Sequence, residues 1–155
     1  MLSSSRRSAV GRIVAVCTTS FAGLLWPMRG WAAWPKAAFD AKTSREVVDQ
    51  LYPGATAEKT TAIRIVAPDL AENGGIVPIT VVSTLPGIQT ITILAEENPR
   101  ALTSTYTLGP RARTPLSVRV KLAKTQDVTV VAKTQDNKVY TASHRITVSV
   151  GGCGG

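Results

Sequence analysis

The stretch KVYTASHRITVSV, residues 138–150, decides the fold. Tyr140, Ala142, His144, Ile146, Val148 and Val150 share one parity, while Thr141, Ser143, Arg145, Thr147 and Ser149 share the other. Successive side chains of an extended strand point to opposite faces, so this alternation describes a strand with one face on a core and the other in water. Upstream of it, β-branched runs broken by Pro, Gly and Asn occupy 62–66, 76–83, 88–94, 101–108, 116–122 and 128–133. In one of them Val118, Val120 and Leu122 alternate with Ser117, Arg119 and Lys121, which gives a core face and a basic face. Seven short strands at this turn-punctuated spacing predict a mainly β protein, an immunoglobulin-like antiparallel β-sandwich with no bridging disulfide. Before the strands, Phe39, Val47, Val48 and Leu51, stopped by Pro53 and Gly54, predict one short amino-terminal helix. Asn73, Gly74 and Gly75 read as a turn, and the near repeat of AKTQD at 123–127 and 132–136 as a local echo around one hairpin.

The last strand runs straight into Gly151, Gly152, Cys153, Gly154 and Gly155. Glycine has no Cβ and visits both signs of φ, so two glycines on each side make Cys153 the tip of a slender tether. Five extended residues reach at most about 17 Å, enough to enter a buried active site. Glycine offers no apolar area to bury, so residues 151–155 are expected to be mobile, with an abrupt boundary between sheet and arm at Gly151.

Residues 1–33 read as an export signal: Arg6 and Arg7 follow a serine, an apolar run covers 13–26, and small residues precede cleavage after Ala32 or Ala33. The arginine pair matches the start of a twin-arginine signal, with a general secretory signal as the alternative. That leaves 34–150 as the sandwich and 151–155 as the arm. Cys17 would leave with the leader, so Cys153 would be the single mature cysteine, a working thiol or an intermolecular link. The leader holds four of the 18 basic residues and no acid, which leaves 14 against 10 acidic and a net charge near +4. No run of Lys and Arg is interleaved with aromatics, so nucleic acid is not an expected partner, and no apolar segment of the mature chain is long enough for a membrane span.

An enzyme would need a constellation that these residues do not supply. His144 is the single histidine and lies on the apolar parity of its strand, as a packed residue would. One Cys and one His are too few for a metal site, so no metal or cofactor is expected. Glu96 and Glu97 are adjacent and, on a strand, would face opposite ways. Arg111, Arg113, Arg119, Lys121 and Lys124 form a basic set, of which Arg119 and Lys121 are the candidate docking face for a partner. The unperturbed thiol pKa of about 8.5 leaves only a few per cent thiolate at neutral pH, and no neighbour in the arm lowers it. A thiol that is accessible but not activated suits a carrier.

The GGCGG of 151–155, with PDLAENGGIVPITV at 68–81 and VKLAKTQDVTVVAKTQDNKVYTAS at 120–143, resembles the SoxY family of the periplasmic thiosulfate-oxidising Sox system. The resemblance implies a non-catalytic carrier that forms a heterodimer with SoxZ and holds sulfur intermediates covalently on Cys153. It implies that the c-type cytochrome SoxXA joins thiosulfate to the cysteine as an S-thiosulfonate, and that the manganese hydrolase SoxB releases sulfate to leave a sulfane sulfur. Where present, the molybdenum and haem enzyme SoxCD would oxidise that sulfur. The implied location is the periplasm.

Overall fold

The computed structural model describes residues 35–151. Among the described residues two short helices come first, α1 (Lys36–Asp40) and α2 (Ser44–Leu51). The expected single helix is split because Ala41 is extended and Thr43 restarts the helix as an N-cap. The Thr43 hydroxyl accepts from the Glu46 N–H while the Glu46 carboxylate accepts from the Thr43 N–H, a capping box that satisfies two otherwise orphaned donors.

Nine strands follow: β1 (Ala57–Lys59), β2 (Ile63–Val66), β3 (Leu70–Asn73), β4 (Val77–Ser83), β5 (Ile88–Ala95), β6 (Leu102–Thr107), β7 (Leu116–Val120), β8 (Gln126–Thr134) and β9 (Val139–Val150). The larger sheet runs β1-β9-β8-β5-β6, with β3 also on β9, and the smaller runs β2-β4-β7. All seven expected strands are present. The two extra ones, β1 and β3, are three and four residues long and pair with β9 in parallel, so the sandwich is antiparallel except along that one edge.

Ile91 to Ala95 are buried without a break, which a strand covered on one face would not show. The larger sheet is covered on both faces. Ile91, Ile93, Val128, Val130 and Ile146 pack toward Val77, Ile79 and Val81 of the smaller sheet, while Leu94, Leu102, Val131 and Val139 pack under Val47 and Tyr52 of the helical segment. The alternation in β9 holds from Ser143 to Ser149, with Ile146 buried and Thr147 and Ser149 outside the core, whereas Val150, expected on the core face, is exposed and Val139, of the other parity, is buried under the helices. The β8–β9 hairpin turns through Asn137 at φ 63°, a left-handed conformation that asparagine tolerates.

Under the helices, Tyr52 Oη lies 2.8 Å from Thr92 Oγ1, which lies 2.9 Å from Thr105 Oγ1. Burial holds the Tyr52 phenol above its ordinary value of 10.0, against the opposing effect of the two threonine hydroxyls. The buried phenol stays neutral while the unfolded chain ionises, so the stability this supplies is intact below about pH 10 and is lost as pH rises through the folded value. Chemical denaturation between about pH 9 and pH 12 should therefore show a steeper loss of stability in the wild type than in Tyr52→Phe. At neutral pH that variant should be about 1 kcal/mol less stable, the net worth of one hydrogen bond.

Candidate functional site: the root of the 151–155 arm

The end of β9 is held from three sides. The Thr125 hydroxyl accepts from the Val148 N–H at 2.9 Å. The Val150 carbonyl accepts from the Gly74 N–H at 2.8 Å, and the Gly74 carbonyl accepts from the Leu122 N–H, also at 2.8 Å. Gly74 thus ties β9 to the β7–β8 connection. Its turn is fixed by Asn73, whose Oδ1 accepts from the Gly75 N–H at 2.7 Å.

Two side-chain amides brace that connection from behind. Asn98 Oδ1 accepts from the Ala123 N–H at 2.8 Å and from Gln126 Nε2 at 3.1 Å, while Asn98 Nδ2 donates to the Lys121 carbonyl at 2.8 Å. Gln126 is buried, and its Oε1 accepts from the Glu97 N–H at 3.0 Å. On the surface above, Lys124 Nζ donates to Glu97 Oε2 at 2.8 Å, a bond that holds the Glu97 carboxyl below its ordinary value.

Gly151 passes directly over this connection. A Cβ on Gly151 would lie 2.2 Å from the Ala123 carbonyl oxygen, a distance no real Cβ contact has. Gly151, expected as the first residue of the loose arm, is a position where the absence of a side chain lets the chain approach a neighbouring backbone. Gly152, Cys153, Gly154 and Gly155, like Arg6, Arg7 and the cleavage positions Ala32 and Ala33, lie outside the described residues.

The structure separates the basic set. Arg119 on β7 and Lys121 just after it are exposed, with no ion pair among the described residues. Lys124 is bound to Glu97 at the arm root. Arg113 lies toward the opposite end, beside a cleft of about 520 Å³, and donates to the carbonyls of Pro110 and Ala112. Glu96 and Glu97 lie in the turn after β5 and not on a strand, beside one cleft, and Glu96 accepts from the Ser44 N–H at the start of α2. His144 is half-buried, with Nε2 3.1 Å from Asp69 Oδ1 but off the line of a hydrogen bond.

Asn98, Thr125 and Gln126 are the site residues that sequence reasoning missed. The AKTQD echo carried a signal for two of them. Its first copy supplies Thr125 and Gln126 to the arm root, whereas the second places Thr134 in the β8–β9 turn, where its hydroxyl donates to the Lys138 carbonyl.

Residues 48–153 match the family of sulfur oxidation protein SoxY, more than half of the chain. The chain belongs to the SoxY family. Among solved structures, the sulfur carrier protein SoxY from Chlorobium limicola f thiosulfatophilum is 30% identical with a TM-score of 0.62, over 68% of this chain and 96% of that one. A point variant of the superoxide reductase (neelaredoxin) from Ignicoccus hospitalis is 15% identical with a TM-score of 0.51, over 56% of this chain and 79% of that one. That second likeness is one of fold alone. No curated protein matches the chain. Within the SoxY match, the residues that grip the arm root lie inside the shared segment, and its last residue is Cys153.

Asn98→Ala should leave the Ala123 N–H and the Lys121 carbonyl without their partners. An unmade hydrogen bond to a part-buried group costs about 1–3 kcal/mol, so thermal denaturation should register a loss of that size. Asn98→Asp, which keeps the acceptor for Ala123 and loses the donor to Lys121, should fall between.

Proposed function

We propose that this chain is the covalent sulfur carrier of a thiosulfate-oxidising system, with Cys153 as the attachment point. The observation that carries this reading is the family match that runs through the whole sandwich and ends on Cys153. The arrangement of β9 supports it, because a long strand tied at its end presents the residues after Val150 from one fixed place.

The chemistry follows from the thiol. The Cys153 thiol and the outer sulfur of thiosulfate join in an S–S bond, with one proton and two electrons leaving, the electrons to a c-type cytochrome such as SoxXA. Water then cleaves the bond between the outer sulfur and the sulfonate, which releases sulfate and two protons and leaves a persulfide on Cys153. A hydrolase of the SoxB kind supplies that step, and SoxCD, where present, oxidises the remaining sulfur. The chain itself contributes no catalytic group to either step. It keeps the intermediate covalent and brings it to each enzyme. A heterodimer with SoxZ and export to the periplasm through the leader with Arg6 and Arg7 complete the reading.

Intact mass spectrometry of the protein from thiosulfate-oxidising cells, without reductant, should show reductant-labile adducts of thiosulfonate and sulfane sulfur that map to Cys153. Cys153→Ser should carry none and should abolish thiosulfate-dependent turnover, while its thermal stability stays at the wild-type value. A bare thiol or a plain disulfide-linked dimer under those conditions would overturn the carrier reading.

A further inference from the structure

The geometry points to Gly151 as the fixed root of the arm, so that any site using Cys153 must seat itself on the rim of that root. This rests on the carrier reading for its functional half and on the packing of Gly151 for its structural half. The Val150 carbonyl is tied to Gly74, and the next residue lies so close to Ala123 that even a methyl group is excluded. A backbone atom is the obstacle, so no side-chain rotation relieves it.

The consequence is a shorter reach. From Gly151 to Cys153 are two residues, which span at most about 7 Å when extended, against about 11 Å for the three residues that would be free beyond Val150. A reacting centre deeper than that plus one side chain is beyond the thiol unless the partner covers the root itself. The rim a partner would touch is chemically distinct. Ile76 and Lys121 stand just outside the Val77–Val120 pair, and Ile76 and Val150 are among the large apolar side chains left most exposed, at 68% and 64%. Lys121 has no ion pair among the described residues. An apolar lip that carries an acidic group fits this rim, and a lysine beside apolar contacts steers such a partner.

The test compares Gly151→Ala with Gly152→Ala, first in the purified protein alone. Gly151→Ala should lower Tm by about 5 °C or more and speed hydrogen exchange at the Gly74 amide at least tenfold, while Gly152→Ala leaves both at wild-type values. Equal behaviour of the two variants would overturn the fixed root. The second arm measures turnover with the c-type cytochrome that loads the thiol. Ile76→Asp and Lys121→Glu, both at exposed positions, should raise KM for the carrier about fivefold or more with kcat and Tm unchanged. An unchanged KM would overturn the rim as a docking surface. The exchange measurement needs no sulfur substrate, so a fixed root with no adduct on Cys153 would sink the carrier reading and leave this structural half standing.

Discussion

A twelve-residue strand carries a row of backbone donors and acceptors on each edge, and β9 must satisfy both. Its partner β8 takes one edge from Val139 to Ile146. The other edge is shared by two short parallel pieces, β1 beside Val139 to Thr141 and β3 beside Thr147 to Val150. The arm root depends on this second pairing. Because β3 ends opposite Val150, the chain must turn there, and the Asn73–Gly75 turn falls against the last residue of β9. Gly74 then bonds to Val150 on one side and Leu122 on the other, and the chain enters β4 of the smaller sheet. One glycine thereby joins the two sheets at the point where the arm leaves.

The helical segment has a different task. A sheet sandwiched on one side only would expose Leu94, Leu102, Val131 and Val139, and α1 and α2 cover them through Ala38, Val47 and Tyr52. A bulge between Ile93 and Leu94 helps, since it skips Thr103 and sets Leu94 opposite Leu102. The helices are short and contribute little by intrinsic propensity, so the capping box and the buried Tyr52 hydroxyl fix their position on the sheet. The outcome is a sheet whose central strands cannot shift without disturbing two cores.

The strands with a long alternating pattern were legible in the sequence because their periodicity records which face is buried. Strands β7 and β9 are the clearest cases, with Arg119 outward and Val120 inward, and Ile146 inward between Arg145 and Thr147. Strands β1 and β3 were not legible. Ala57–Lys59 and Leu70–Asn73 are too short and too polar to show a period, and they exist because β9 offers an edge. The cover on the second face of β5 left a trace in the unbroken run ITILA, which a single sandwich core does not require. At the arm root, Cys153 and its glycines stood out by composition alone. Asn98 and Gln126 did not, because a surface-type residue that braces a loop by its amide looks the same in sequence as one that faces water.

The same limit applies to Gly151, and there it changes the functional argument. Four glycines around a cysteine suggest freedom throughout, yet a glycine is also the residue that lets one backbone lie against another. Composition cannot separate the two uses. The Ala123 carbonyl separates them, since a group 2.2 Å from the missing Cβ makes the absence of a side chain a packing requirement. A chain that leaves the sheet through such a close approach leaves it from one place. On the carrier reading proposed above, the thiol needs no activation of its own, because the enzymes that act on it supply the charge, the electrons and the water.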